Sequence, residues 1–194
     1  VRVIDNFSTG KRENLNFAPD VSSSLEIIEG DICDEKDLVK SLAGIDIVLH
    51  QAALRSVPRS VDDPLSTNEV NITGTLKLLH EARRSGVKRV VYASSSSVYG
   101  DSEKFPQKET DQPSPLSPYA VSKLAAENYC RVFAKTFGLE TISLRYFNVF
   151  GKRQNPESKY AAVIPKFIES ALKGEPLEVH GDGKQSRDFS HVDN

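Results

Sequence analysis

The stretch KRVVYASSSSVYG (residues 88–100) runs from an uninterrupted apolar segment straight into four consecutive serines. An apolar run without polar alternation suits a strand buried on both faces, as in a parallel sheet covered by helices. Four serines in a row fit neither a helix nor a strand core, so they mark the end of that strand or line a polar loop. Outward from it, similar runs recur as VRVID (1–5), LEIIEG (25–30), IDIVLHQAA (45–53) and TISLRYF (141–147). Helical patterns lie between them. DEKDLVKSLAG opens on Asp34, an N-cap type, and closes on Gly44. Longer patterns run over about 65–86 and about 118–138, the second with Pro118 at its first position, and a last one over about 160–174. The segment 101–118 carries four prolines and reads as a surface loop. Strands alternating with helices predict an open, doubly wound α/β sheet, whose ligands bind beyond the carboxyl ends of the strands.

Those ends carry polar or small residues. Asp5 closes the first run, Asp31 follows the second, HQAALRS ends the third, the serines end the fourth, and RYFNVFG ends the fifth with Asn148. A carboxylate at Asp5 suits the two hydroxyls of an adenosine ribose and repels a 2′-phosphate; it is also an ordinary turn residue. Asp31 suits an adenine amine, with a turn Asp as the plainer account. In SPYAVSKLAAENYC (117–130), Tyr119 and Lys123 are four residues apart and share one helical face at roughly 5–6 Å. A free phenol has a pKa of about 10, and a cation at about 4 Å is worth roughly 4 kcal/mol at an effective dielectric near 20. The pair reads as a general base with its activator, or as a chance spacing with Lys123 a solvated residue on the outer face of an amphipathic helix.

The 194 residues carry a formal charge of −2, which gives no electrostatic case for nucleic acid or an anionic membrane as partner. No apolar run approaches the roughly 18 residues that span a bilayer. Cys33 and Cys130, the two cysteines, match no metal or redox spacing and read as buried, reduced thiols of a cytoplasmic protein. No metal site is expected.

Taken together, DNFSTG, GDI, HQAA, NITGT, YASSSSVYG, SPYAVSK, LRYFNVFG and GDGKQSRDF resemble the extended short-chain dehydrogenase/reductase family, the NAD-dependent epimerases and dehydratases of nucleotide sugars. The likeness covers essentially the whole chain and is closest to UDP-hexose and UDP-N-acetylhexosamine 4-epimerases. It implies a Rossmann-type NAD-binding domain over 1–150 and the start of a smaller UDP-sugar-binding domain over 151–194. It implies that Asp5, Asn6, Ser8, Thr9 and Gly10 hold the adenosine ribose and neighbouring phosphate, and that Asp31 and Ile32 flank adenine. Gln51, Ala52, Ala53 and Leu54 would line the dinucleotide with Asn71 nearby, and Phe147 would pack near the nicotinamide. Tyr119 would be the base, while Lys123 binds the nicotinamide ribose and lowers the phenol's pKa. Ser95 would bond the sugar's 4-hydroxyl, Ser96 would be an adjacent substrate contact, Asn148 would touch the UDP-sugar and Arg187 its phosphates.

The resemblance implies NAD-dependent 4-epimerisation of a UDP-sugar through a 4-keto intermediate, by a homodimer paired through helices near 66–85 and 118–137. Its rivals are a nucleotide-sugar dehydratase, a UDP-glucuronate decarboxylase and a non-catalytic nucleotide-binding relative. The first two subfamilies place carboxylates where Ser96 and Ser97 stand here, and binding alone needs no activated phenol. Two departures stand out. Arg55 occupies a position that is small in the N-acetylhexosamine branch and often Lys in galactose epimerases. None of the eleven glycines forms the family's Gly-rich phosphate loop. The acidic residue after the second strand ordinarily follows that loop by about 20 residues, so a missing first strand is expected, along with poor NAD binding and no activity for these residues alone.

Overall fold

The computed structural model describes residues 1–16, 24–102, 104–155, 163–179 and 181–194. The chain divides into two compact units, Val1–Arg145 and Tyr146–Asn194. In the first, strand β1 (Arg2–Asp5) pairs parallel with β2 (Glu26–Glu29), Arg2 opposite Glu26 and Asp5 opposite Glu29. Strand β3 (Ile47–His50) pairs parallel with β4 (Arg89–Ser95), and β5 (Glu140–Tyr146) completes a three-stranded sheet in the order β3-β4-β5.

The helices begin where local chemistry dictates. Helix α1 (Glu35–Leu42) is capped by Asp34, whose side chain accepts from the amides of Lys36 and Asp37. Its last turn is closed from β1, where Arg2 donates to the carbonyls of Ser41 and Ala43 at 3.0 and 2.8 Å. Helices α2 (Val57–Asp62) and α3 (Pro64–Asn68) are capped by Ser56 and Asp63, each with proline in the first turn. The pattern expected as one helix over about 65–86 is instead α3, a π-helical stretch over Glu69–Gly74, and α4 (Thr75–Arg84). Ser117 caps α5 (Pro118–Phe137), which ends on Gly138 at φ 72°, a left-handed conformation that glycine adopts without a Cβ clash.

Leu38 and Leu42 of α1, Leu78, Leu79 and Ala82 of α4, Val90 and Tyr92 of β4, and Ala126, Cys130 and Phe133 of α5 form one continuous core. That core corrects one expectation. Only β4 is buried along most of its length, at Val90, Tyr92, Ala93 and Ser94, while Ile47 and Leu49 of β3 and Ile142 and Leu144 of β5 are exposed. β4 is the middle strand, flanked on both sides and covered by α5; its neighbours each have one partner in this sheet. Cys130 is buried as expected, but Cys33 is only half-buried, because it follows the Asp31 turn instead of lying in the core.

In the second unit, β6 (Asn148–Phe150) pairs parallel with β7 (Phe189–His191), and α6 spans Val163–Lys173. The start of the last expected helix, near 160, lies outside the described residues. Phe150 meets the rings of Phe189 and His191 edge-on at 6.3 and 5.1 Å.

Candidate active site

The carboxyl ends of β1 and β2 converge on a polar cluster. The Asp5 carboxylate accepts from the Phe7 amide at 2.7 Å, and Asn6 accepts from the Ser8 amide at 3.1 Å. The side-chain amide of Asn6 donates to Asp31 at 2.8 Å, and the other Asp31 oxygen accepts from the Cys33 amide at 2.8 Å. These bonds hold the Asp31 carboxyl below its ordinary pKa against the opposing effect of burial. Phe7 adopts φ 52°, which folds the loop back on itself. A Cβ on Gly10 would stand 3.1 Å from an Asp5 oxygen, a tight contact that the carboxylate would have to shift by a few tenths of an ångström to relieve. Ser8 and Thr9 are exposed on the same loop, and Ile32 is buried in the core. Of the residues expected at the adenosine end, Asp5, Asn6, Gly10 and Asp31 are brought together.

Beyond β3, Gln51 and Ala52 are exposed and Ala53 and Leu54 half-buried. The Leu54 amide donates to Asn71 Oδ1 at 2.8 Å, and Asn71 Nδ2 donates back to the Leu54 carbonyl at 3.0 Å. The other Asn71 donor reaches Ser122 Oγ at 3.0 Å, and Ser122 in turn donates to the Tyr119 carbonyl at 2.8 Å. One buried asparagine in the π-helical stretch thus ties the β3 loop to the first turn of α5. π-helical insertions of this kind are frequent at functional sites.

The end of β4 meets that same turn. Ser95 Oγ accepts from both the hydroxyl and the amide of Ser97, at 2.9 and 3.2 Å, which leaves its own proton for another acceptor. The Tyr119 phenol is that neighbour: hydrogen bonding to Ser95 favours the phenolate, as does the charge of Arg55. Burial outweighs both, so the phenol lies above its ordinary pKa. Ser96 is half-buried and opens the 3-10 turn Ser96–Tyr99.

The alternative of a solvated Lys123 is overturned. The residue is 4% exposed, and its Nζ donates to the Ala93 carbonyl at 2.9 Å. It faces the rings of Tyr92 and Tyr119 at 5.1 and 5.8 Å. Burial lowers its pKa to about 8. The ammonium points to a β4 carbonyl, and burial of the phenol dominates the Tyr119 pKa.

In the second unit, Asn148 opens β6, not the end of β5, because the chain re-enters extended structure after Phe147. Its side chain donates to the Asp188 carbonyl at 3.0 Å, which brings it beside Arg187 across 40 residues of chain. Arg187 is exposed and donates to the Ser186 carbonyl at 2.7 Å. Phe147 is 39% exposed.

Two buried arrangements escaped sequence reasoning. Glu127 accepts from the Ser94 hydroxyl and pairs with Arg145 through two bonds of 3.0 and 2.9 Å; Arg145 also stacks on Tyr99 at 4.7 Å. Glu127 lies four residues after Lys123, so the i, i+4, i+8 spacing from Tyr119 was the available signal. His50, buried at the end of β3, contacts Thr75 Oγ1 at 2.8 Å. Thr75 spends its one proton on the Asn71 carbonyl at 2.7 Å, so His50 Nε2 carries the hydrogen. Burial pushes the His50 pKa down to about 3. Among the described residues no group of three or more His, Cys, Asp or Glu could hold a metal ion, and no helix is long and apolar enough to cross a membrane.

Comparison with known proteins supplies the context for this geometry. A sequence profile of the NAD dependent epimerase/dehydratase family matches residues 1–194. The chain is 39% identical to the UDP-glucose 4-epimerase of Mycolicibacterium smegmatis, over 98% of this chain and 61% of that protein. The UDP-N-acetylglucosamine 4-epimerase from Methanobrevibacter ruminantium, solved in complex with UDP-N-acetylmuramic acid, superposes with a TM-score of 0.93 at 48% identity, over 98% of this chain and 61% of that one. The UDP-glucose 4-epimerase of Thermotoga maritima, solved with UDP-glucose, gives a TM-score of 0.92 at 39% identity, over 99% and 61%. The chain therefore spans about 61% of the length of these relatives.

Proposed function

Because the chain belongs to the NAD dependent epimerase/dehydratase family, we propose that its full-length protein is a UDP-sugar 4-epimerase using NAD. The observation that carries this reading is the meeting of Ser95, Tyr119 and Lys123 at the end of β4. Residues 1–150 form the NAD-binding domain and 151–194 begin the sugar-binding one. The cradle at Asp5 fits the cofactor: a carboxylate facing the space beside Gly10 suits a ribose diol. Asn6, Ser8, Thr9, Asp31 and Ile32 complete the adenosine end, and Gln51, Ala52, Ala53, Leu54, Asn71 and Phe147 continue along the dinucleotide.

NAD, held by the Asp5 loop and by Lys123, would supply the hydride acceptor and donor for C4 of the sugar. Tyr119 takes the proton of the 4-hydroxyl and later gives it back. Ser95, with its lone pairs occupied by Ser97, donates toward the oxygen that carries negative charge. Lys123 holds the nicotinamide ribose, Ser96 and Asn148 contact the sugar nucleotide, and Arg187 meets its phosphates. The 4-keto sugar turns over between the two transfers. Elimination or decarboxylation is disfavoured, since Ser96 and Ser97 offer hydroxyls where those reactions require a carboxylate acid or base.

The sugar is a hexose or an N-acetylhexosamine, and the 48% identity to a UDP-N-acetylglucosamine 4-epimerase favours the second. The protein pairs as a homodimer and works in the cytoplasm. The deciding experiment offers the full-length protein UDP-galactose and UDP-N-acetylgalactosamine side by side. Appearance of the C4 epimer with no net change in cofactor redox state is expected. A 4-keto-6-deoxy product, or no product from either sugar, overturns the proposal.

A further inference from the structure

The turn that follows β2 is gripped from two sides. On the α1 side, the Asp31 amide donates to the Asp37 carboxylate at 2.9 Å, and the Asp34 amide donates to the Asp31 carbonyl at 3.0 Å. On the other side, Lys77 of α4 reaches across 44 residues of chain, and its Nζ donates to the Cys33 carbonyl at 2.8 Å. The Cys33 thiol donates to the Glu69 carbonyl, in the π-helical stretch, at 3.7 Å. Gly74 ends that stretch and closes the contact. A Cβ there would stand 2.9 and 3.0 Å from Ile32 Cδ1 and Cγ1, and 3.1 Å from Cys33 Sγ. Ile32 is 6% exposed and packed in the core, so its side chain has little room to retreat. Glycine is a poor residue for a helix interior, and here its lack of a side chain lets the winding come down onto the turn. The same winding holds the catalytic end of the site. Its Asn71 binds both backbone polar groups of Leu54 and reaches the first turn of α5 through Ser122.

We propose that Gly74 and Lys77 are positioning residues for the cofactor, which act through Ile32 and Cys33 to hold the Asp31 carboxylate against the adenine amine. This rests on the reading that Asp31 and Ile32 flank adenine. One Asp31 oxygen accepts from the Cys33 amide and the other from the Asn6 side chain, both at 2.8 Å. Each oxygen keeps a lone pair for a further donor, and an amine on adenine supplies one. The amide that aims the carboxylate and the carbonyl that Lys77 holds flank the same Cα of Cys33. Fixing one therefore steadies the other. Removing the ammonium frees the carbonyl, and adding a methyl group at 74 pushes on Ile32 and the thiol. Both changes reach Asp31 without touching a residue at the Tyr119 end.

The test is calorimetric binding of two dinucleotides to the full-length protein freed of cofactor. One is NAD; the other is nicotinamide hypoxanthine dinucleotide, in which a carbonyl oxygen replaces the adenine amine. Wild type is expected to prefer NAD about tenfold, the worth of one hydrogen bond to a carboxylate. Lys77→Met keeps the aliphatic stem and removes the donor. It is expected to weaken NAD binding about five- to tenfold and hypoxanthine dinucleotide binding less than about twofold, so that the preference collapses. Gly74→Ala changes no charge and is expected to do the same; if it fails to fold, Lys77→Met decides. A preference that survives in a variant, whether NAD binding is unchanged or both dinucleotides lose equally, overturns the proposal for that residue. Equal loss would mark a general effect of charge on the pyrophosphate or of damage to the fold. A wild type with no preference shows that Asp31 does not read the amine, and overturns the adenine reading together with the proposal. No arm requires turnover, so the epimerase reading stands or falls separately.

Discussion

Replacing Glu127 by alanine is expected to destabilise the full-length protein by about 3 kcal/mol. The carboxylate receives two bonds from Arg145 and one from the Ser94 hydroxyl, with the Arg145 and Glu127 side chains 17% and 12% exposed. Removing one partner of a buried pair costs about 3–5 kcal/mol, chiefly because the other charge is left uncompensated. Residual exposure and the Tyr99 ring, 4.7 Å from the guanidinium, soften that loss and place it at the lower end. The structure already leaves Arg145 Nη1 buried without a hydrogen-bond partner, so little spare capacity exists to satisfy the rest of the group. Equilibrium urea unfolding followed by far-UV circular dichroism measures the loss as a shift in midpoint at constant slope. The double variant Glu127→Leu/Arg145→Met is expected to recover most of it, to within about 1 kcal/mol of wild type, since apolar side chains of similar volume replace buried pairs at little cost. A loss below about 1 kcal/mol for Glu127→Ala, or a double variant as unstable as the sum of the single ones, would refute the reasoning.

Tyr119→Phe is expected to abolish most turnover yet retain NAD binding by calorimetry, because the ring stays and only the proton acceptor is lost; near-normal turnover removes Tyr119 as the base. Acid should weaken the fold through His50. Its folded pKa of about 3 lies below the ordinary 6.5, so the unfolded chain binds the proton first, and stability present above pH 6.5 is lost as pH falls toward 3. Between pH 7 and 5 this amounts to about 2 kcal/mol, a slope that His50→Gln should flatten in urea unfolding. The exposed apolar residues Val121, Val132 and Phe137 on α5 and Leu65 on α3 suit burial against a second copy. A two-fold dimer is expected from light scattering of the full-length protein, and a monodisperse monomer at micromolar concentration counts against it.

What the sequence made legible was local. Asp34 and Ser117 are caps because an oxygen on a short side chain reaches the free amides of the next turn, a geometry that neighbours in sequence supply by themselves. The strand ends bearing Asp5, Asp31 and the serines were readable because an apolar run stopped at a polar residue. The Asn71 clamp was not, since its two partners, Leu54 and Ser122, come from the β3 loop and α5, 17 and 51 residues away. The same holds for Glu127 with Arg145, a pair made only when α5 lies across the end of β5. The break of the 65–86 pattern into α and π turns was hidden too, because apolar spacing there suits either winding. The resemblance supplied a role for Lys123, but only its burial and its bond to Ala93 reveal where its charge is directed.

Helix α5 carries the conflict between stability and chemistry. Tyr119, Lys123 and Glu127 follow at i, i+4 and i+8 on a face turned toward β4, where Ala126, Cys130 and Phe133 of the same helix build the core. Lys123 is the expensive member. Its pKa falls from 10.5 to about 8, which corresponds to roughly 3 kcal/mol held against the folded state. The unfolded chain binds that proton more tightly, so the penalty is in full force below pH 8 and is relieved as pH rises toward 10.5. The fold tolerates it because the Ala93 carbonyl and the Tyr92 and Tyr119 rings receive the ammonium, while the leucine-rich contact with α4 continues on the same helix. A helix selected for stability alone would place an apolar residue at 123. A buried cation with a displaced pKa, facing a phenol ring, is the kind of arrangement that chemistry demands and packing does not.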